Sequence, residues 1–151
     1  MIILSKLADY AVIIATHLAV DVERQMTAAA LAQEAKLPRA TVAKVLKALA
    51  HAGLVAGARG AAGGYRLARE PGAISVAELV AAIDGAIGVT QCTSHVPDCS
   101  RTDFCPTRPH WHRINQAVGT ALGAVTLADM LPPFARLALQ PPAASQETLT
   151  P

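Results

Sequence analysis

The stretch from residue 37 to residue 69 constrains the fold more than any other part of the chain. It opens with Leu37 and Pro38, and proline suits the first turn of a helix, where its missing N–H is not needed. Apolar residues then recur at three- and four-residue steps until Gly53, a good helix stop. They are Val42, Val45, Leu46 and Leu49. Two short segments follow on either side of the glycine-rich run 60–64, a pattern that predicts a β-hairpin.

Two shorter helical patterns precede this stretch. Ser5 can cap the first predicted helix and Thr27 can cap the second. A helix, a short helix, a turn, a third helix and a glycine-tipped hairpin are, in this order, the elements of a winged helix-turn-helix. Ser75 and Glu78 then form a capping box for a helix that ends near Gly85. The predicted fold is therefore mainly α with a small β-hairpin wing.

The rest of the chain divides into a loop, a longer helix and a tail. Residues 86–109 form a predicted loop that holds all three cysteines, and residues 110–131 contain the helix. Its apolar residues have the spacing of a coiled-coil seam and are Trp111, Ile114, Val118, Ala121 and Val125. Gly119 and Gly123 would allow another helix to approach closely, although packing within the chain explains them equally well. The proline-rich tail 132–151 is expected to be mostly disordered.

Within residues 1–85, basic residues are concentrated in the third predicted helix and the hairpin. From Lys36 to Arg69 there are seven basic residues and no acidic one, whereas the remaining chain has six basic and eleven acidic residues. Such a stretch is either a solvated basic face or a contact for a polyanion. A helix that begins at Pro38 can enter a major groove with its first turns leading, so residues 1–85 are predicted to bind double-stranded DNA rather than protein. The predicted contacts are Arg39, Thr41, Lys44 and Lys47 of the helix and Arg59, Gly63, Gly64 and Arg66 of the hairpin.

The first twenty residues do not resemble an export signal. They carry Lys6, Asp9 and His17 and lack a small-residue cleavage site. No run of about 18 uncharged apolar residues exists, so no membrane association is expected. Three cysteines in such a chain favour a reducing cytoplasm.

The spacing of the three cysteines leaves more than one chemistry open. Six residues separate Cys92 from Cys99, and five separate Cys99 from Cys105. Compact zinc sites usually pair cysteines two to four residues apart, whereas a loop with longer intervals can wrap an iron–sulfur cluster. A zinc site and a pair of reactive thiols remain alternatives. Local candidates for a fourth ligand are His95, Asp98, Asp103, His110 and His112.

Several motifs together resemble a known family. They are SKLADYAV at 5–12, the third helix, the wing RGAAGGYRLAR at 59–69, SVAELVAAIDG at 75–85 and the three-cysteine loop. In combination they resemble the winged-helix iron–sulfur regulators typified by IscR and NsrR, over about residues 1–131. The loop, followed by HWHRIN at 110–115, looks most like the branch that regulates operons for SUF-type cluster assembly.

The resemblance implies a homodimer joined through the long helix and a pseudo-palindromic promoter site. It also implies a 2Fe–2S or 4Fe–4S cluster held by the three cysteines, Cys92, Cys99 and Cys105. A histidine lies three residues after the last cysteine in IscR-like members, and here that position is Arg108. In NsrR-like members an aspartate of the first helix reaches the cluster of the other subunit. That position matches Asp9, which makes it the preferred fourth ligand in trans, with His110 as runner-up.

The base-reading positions of the resembled family fall on Ala40, Thr41, Ala43 and Lys44, and two alanines among them suggest a different operator sequence. We therefore expect a homodimeric repressor of iron–sulfur assembly or stress-response genes that senses cluster status, oxidants or nitric oxide. The alternative is a winged-helix repressor that binds zinc, or senses oxidants through its thiols, without a cluster. An iron–sulfur carrier or assembly enzyme is disfavoured, because it would not need the basic hairpin and the sequence offers no acid–base pair or phosphate loop.

Overall fold

The computed structural model describes residues 3–58, 60, 63–94, 99–101, 103–133 and 135. These residues form five α-helices and one β-hairpin. The helices are α1 (Lys6–Ala19), α2 (Ala28–Glu34), α3 (Arg39–His51), α4 (Val76–Asp84) and α5 (Arg108–Ala124), and the strands are β1 (Val55–Ala58) and β2 (Gly64–Leu67). The prediction of a mainly helical winged helix-turn-helix is confirmed.

The first two helices begin at the predicted caps. The Ser5 hydroxyl accepts a hydrogen bond from the Ala8 N–H at 3.1 Å, and the Thr27 hydroxyl accepts one from the Ala30 N–H at 3.1 Å. Each bond satisfies a backbone donor that has no partner inside the helix. After α3, Gly53 adopts a left-handed φ of 71°, which glycine reaches without steric cost.

The capping box at the start of α4 also forms as predicted. Ser75 N–H donates to a carboxylate oxygen of Glu78 at 2.8 Å, and the Ser75 hydroxyl accepts from the Glu78 N–H at 3.2 Å. The other Glu78 oxygen accepts from the guanidinium of Arg69 at 2.6 Å. The bond from the Ser75 N–H to the carboxylate, and after it the bond from Arg69, lower the pKa of Glu78 below its usual value.

The core lies between α1, α3 and α4, which pack against one another, with α2 against α3. It consists almost entirely of alanine, valine, leucine and isoleucine, as a chain with 3% aromatic residues requires. Ile14, Leu46 and Leu79 are fully buried representatives of the three helices. Within the described part of the chain, no polar or charged side chain is buried.

The hairpin is tied to the segment before α2. Its antiparallel register sets Val55 opposite Leu67 and Ala58 opposite Gly64. Met26 forms a bridge to Tyr65, with N–H···O distances of 3.0 and 2.8 Å in the two directions. Backbone hydrogen bonds between Met26 and Tyr65 thus hold the β2 edge of the hairpin against the rest of the domain.

Helix α5 differs from its predicted extent. It begins at Arg108, two residues before the predicted start, and ends at Ala124. The chain then turns back to the start of α4, where Ser75 bridges Thr126, and a short 3₁₀ turn follows at Ala128–Met130. The predicted disordered tail lies outside the described residues, apart from its first few positions.

The predicted seam on α5 is largely uncovered. Trp111 and Ile114 are 36% and 45% exposed, and Ala121 and Val125 are also exposed. A neighbouring face packs toward the body instead, and its half-buried residues are Asn115, Val118, Gly119 and Leu122. None of the helices in the described ranges is long and apolar enough to cross a membrane.

Candidate DNA-binding surface and cysteine loop

Helix α3 has one buried and one exposed face. Its four periodic apolar residues, from Val42 to Leu49, are at most 1% exposed. The residues predicted to contact DNA that lie on the exposed surface are Arg39, Ala40, Ala43, Lys44 and Lys47. Thr41 is half-buried between the two faces. The sequence periodicity therefore located both faces, because a 3.6-residue repeat puts residues three and four apart on the same side.

The described part of the wing adds one exposed cation. Arg66 on β2 is exposed, Gly63 is half-buried, and Arg59 lies outside the described residues. Gly64 is buried, and a Cβ there would lie 3.0 Å from the backbone carbon and oxygen of Met26. The close approach between β2 and Met26 explains why residue 64 is a glycine. Gly64 was predicted to contact DNA together with Arg66, but it is buried whereas Arg66 is exposed.

Not every basic residue of the stretch is available to a partner. Arg69 donates to Glu78 at 2.6 Å and to the Ala73 carbonyl at 3.0 Å, so it stabilises the start of α4. The exposed cations on α3 and β2 are Arg39, Lys44, Lys47 and Arg66. They form a surface that we call the basic face.

The first cysteine lies in a tight turn, residues 88–94. Gly88 approaches Ser94 so closely that a Cβ on the glycine would lie 2.6 Å from the Ser94 Cα. Inside the turn, Thr90 N–H donates to the Thr93 hydroxyl at 3.0 Å, and Thr90 Oγ1 lies 3.2 Å from the Cys92 sulfur. We call these residues the Cys92 turn. Cys92 is half-buried within it.

The last cysteine precedes α5 directly. Cys105 Sγ lies 3.2 Å from the Thr107 hydroxyl. Hydrogen bonds from the side chain and backbone of Thr107 lower the pKa of the Cys105 thiol, assisted by the Arg108 N–H and the charge of Arg101. Cys99 is half-buried in the short described segment 99–101. A thiol with a lowered pKa is a better metal ligand and a better nucleophile, so this feature suits both chemistries left open by the sequence.

The predicted ligands that the structure describes do not converge on one point within a chain. Three thiols in one loop are a suitable donor set for an iron–sulfur cluster. Among the residues that the structure describes, however, no three His, Cys, Asp or Glu side chains are placed to hold a metal ion. Asp9 is exposed in the first turn of α1, and His110 is exposed in the first turn of α5. Two further candidates, His95 and Asp98, lie outside the described residues.

Two contacts that the sequence did not predict join separate elements: one joins the loop to α5, and the other joins the start of α1 to the end of α4. Asn115 of α5 accepts a hydrogen bond from the Val89 N–H at 2.9 Å. The Ser5 hydroxyl donates to Asp84, the last residue of α4, at 2.7 Å. No periodicity or spacing relates residues this far apart, although a polar residue on the inner face of α5 was a weak signal.

The elements and their order define the class as a winged helix-turn-helix protein with an added helix and a cysteine loop. The sequence matches the model of the Rrf2 family, described as iron-dependent transcriptional regulator, over residues 4–133. The chain belongs to the Rrf2 family. This is a family of transcriptional regulators and not of enzymes.

Curated relatives are similar to this chain over about half of its length. The chain is 34% identical over 79 residues to the HTH-type transcriptional regulator IscR of Xenorhabdus nematophila, covering 52% of this chain and 48% of that protein. It is 35% identical over 83 residues to IscR of Vibrio atlanticus, covering 55% and 47%. The chain thus spans about half the length of the curated relatives it matches.

Solved structures are similar over more of the chain. The structure of CymR, the global cysteine regulator of B. subtilis, has a TM-score of 0.67 and 30% identity, covering 86% of this chain and 96% of that one. T. potens IscR has a TM-score of 0.66 and 28% identity, covering 85% of each chain. The predicted family is therefore confirmed at the level of Rrf2. Because both IscR and CymR are similar to this chain, the SUF branch and the cluster stay predictions.

Proposed function

We propose that this protein is a homodimeric, DNA-binding transcriptional repressor that acts in the cytoplasm. The observation that carries the proposal is the division of α3 into a buried apolar face and an exposed basic face. Arg39, Lys44 and Lys47 lie on that exposed face, and Arg66 extends it on the wing. Cations in this arrangement can neutralise phosphates on both sides of a groove that a helix enters.

Direct base reading would fall to the start of α3. Lys44 and half-buried Thr41 are the polar residues among the family-matched positions, while Ala40 and Ala43 can contact thymine methyl groups. Selection of bound fragments from genomic DNA, followed by footprinting, tests this. We expect two protected half-sites about one helical turn apart. Binding with equal affinity to every fragment would contradict a sequence-specific regulator.

The uncovered face of α5 supports a dimer. Trp111 and Ile114 are more than a third exposed on α5, a helix with coiled-coil spacing, and so is Val125 directly after its end. A Cβ added at Gly119 or Gly123 would meet nothing within 4 Å in the chain, so packing within the chain does not require either glycine. Sedimentation equilibrium of the wild type and Ile114→Lys should show a dimer and a monomer, respectively. A wild type that is monomeric at all concentrations would contradict the proposal.

For the cysteine loop we propose an iron–sulfur cluster held by Cys92, Cys99 and Cys105, with Asp9 of a second chain as the fourth ligand. The donor set, the lowered pKa of Cys105 and the exposure of Asp9 support this assignment. When bound, the cluster would supply an iron centre that responds to oxidants and nitric oxide. A ligand from a second chain would also account for the lack of a metal site among the described residues of one chain.

The residues of this chain offer a route from the loop to DNA. The loop begins directly after Asp84, which accepts a hydrogen bond from Ser5 at the start of α1. Helix α1 packs in turn against α3. A change in the position of the loop would therefore shift Asp84 and α1, and through α1 the basic face.

Anaerobic purification tests the cluster and its fourth ligand together. Wild-type protein should be brown, with visible absorbance and matching iron and sulfide contents. Asp9→Ala should lose the cluster faster than wild type, while His110→Ala should retain it. A colourless wild type with one zinc per chain would refute the cluster, and a labile His110→Ala beside a stable Asp9→Ala would reverse the ligand assignment.

The alternative is a repressor that senses oxidants through its thiols. The lowered pKa of Cys105 favours it, because the thiolate is the reactive form. It predicts that a Cys92–Cys99 or Cys99–Cys105 disulfide changes DNA affinity in metal-free protein. Peptide mapping after mild oxidation, with DNA affinity measured before and after reduction, distinguishes this reading from the cluster.

A further inference from the structure

Asn115 is the one polar side chain on the face of α5 that packs toward the body. Its neighbours on this half-buried face are Val118, Gly119 and Leu122, which follow at three- and four-residue steps. A polar group in such a position costs stability unless it has a hydrogen-bond partner. Asn115 has one, because its Oδ1 accepts from the Val89 N–H at 2.9 Å. The bond joins α5 to the chain 26 residues earlier.

Val89 belongs to the Cys92 turn, so the bond determines where that turn lies. The turn packs against α5 around the 3₁₀ segment Gln91–Thr93. Its own hydrogen bonds and the close approach of Gly88 to Ser94 make it internally rigid. A rigid turn held at Val89 has little freedom to rotate away from the helix. Cys92 therefore has a defined position before any ligand binds.

The hydroxyl groups of the turn are arranged so that one proton can reach the sulfur. Thr93 donates its single hydroxyl proton to the Thr90 carbonyl at 3.0 Å. The Thr90 hydroxyl then has two neighbours, Thr93 Oγ1 and Cys92 Sγ, each at 3.2 Å. Since the Thr93 proton is already committed, the Thr90 hydroxyl proton is the one available for both contacts, and it can be donated either to Thr93 Oγ1 or to Cys92 Sγ. Such a donor stabilises a coordinated or reactive sulfur.

We propose that Asn115 is a positioning residue for Cys92: its carboxamide oxygen holds the Cys92 turn on α5, so that the position of this sulfur follows the helix. The inference rests on the proposed role of Cys92 in sensing, but it holds for a metal ligand and for a reactive thiol alike. Through this bond Cys92 would move together with α5, whereas Cys105 is held separately by Thr107.

Hydrogen exchange in metal-free, reduced protein tests the contact. In Asn115→Ala, exchange of the Val89 amide should accelerate by about 3- to 10-fold, which corresponds to the loss of one ordinary hydrogen bond. Asn115→Asp keeps an acceptor oxygen and should remain within about 2-fold of wild type. Gln116→Ala, an exposed neighbour on the same helix, is the matched control. Unchanged exchange in Asn115→Ala, or equal acceleration in Gln116→Ala, would overturn the proposal.

Site-resolved alkylation separates positioning from general stability. With N-ethylmaleimide and mass spectrometry, Cys92 of Asn115→Ala should react about 3-fold or more faster than in wild type, because the turn opens more often. Cys105 in the same chain serves as internal reference and should change less than about 2-fold. Equal acceleration at both cysteines would indicate general loosening and overturn the proposal. Both measurements use metal-free protein, so a failed cluster reconstitution would refute the cluster and leave this result standing.

Discussion

Replacing Lys47 by alanine gives a quantitative test of the basic face. Lys47 is exposed on α3, on the side opposite the buried Leu46 and Leu49. The substitution removes one charge and leaves the core unchanged, and alanine is the best helix former, so folding stability should change by less than about 0.5 kcal/mol. An effect on DNA binding would therefore report a contact rather than a damaged fold.

The salt dependence of binding gives the magnitude. If the four cations of the basic face each neutralise one phosphate, log K should fall with log salt at a slope of about −3.6 per protomer. Between 50 and 200 mM salt this is a loss of about 150-fold in affinity. Without Lys47 the slope becomes about −2.7 and the loss about 40-fold. In a dimer that engages both surfaces, the slopes of wild type and variant should differ by about 1.8 units.

Fluorescence anisotropy with a duplex of arbitrary sequence is sufficient for this assay, because the phosphate term does not depend on sequence. Arg113→Ala is the matched control, since Arg113 is an exposed cation on α5, outside the basic face. We expect its slope to equal that of the wild type. If Lys47→Ala keeps the wild-type slope, or if Arg113→Ala lowers the slope equally, the assignment of the DNA-binding surface is wrong.

Three further predictions concern the fold. Gly64→Ala should lower the free energy of unfolding by about 1–3 kcal/mol in urea titrations, because the new Cβ would lie 3.0 Å from the Met26 backbone. Leu127→Ala should cost about 2–5 kcal/mol in the same assay, since Leu127 is fully buried where the chain returns to α4. The folded-state pKa of Glu78 is lowered, mainly by the Ser75 N–H, so its carboxylate stabilises the fold above its ordinary pKa of 4.5. This stabilisation should be lost as the pH falls through the lowered pKa of Glu78 in the folded state. In Glu78→Gln, the corresponding decrease of the urea midpoint at low pH should disappear.

The features that the sequence predicted well depend on residues close together in the chain. The caps at Ser5, Thr27 and Ser75 each accept a hydrogen bond from a backbone N–H three residues later, so their roles follow from local geometry. The faces of α3 follow from periodicity in the same way. Helix α5 begins two residues before its predicted start, because the first turn of a helix accepts a proline such as Pro109, a residue that equally marks the end of a loop.

The cysteine loop was predicted as a set of ligands but not as a structure. The sequence identified three thiols and candidate fourth ligands, yet it contains no rule for the path of a loop between them. The described residues of one chain do not assemble a metal site. A site that requires a second chain, as proposed for Asp9, depends on an interface that spacing within one chain does not encode.

Residue types and short-range geometry are enough to predict the order of elements, the helix caps and the concentration of positive charge between Lys36 and Arg69. The packed fold, in contrast, sets which of those charges is engaged within the domain. It pairs Arg69 with Glu78, whereas Lys44 and Lys47 lie on the exposed face of α3. It also brought Val89 to Asn115, across 26 residues of chain, where no repeat relates the partners. Such contacts depend on how whole helices pack, and packing is a property of the assembled core.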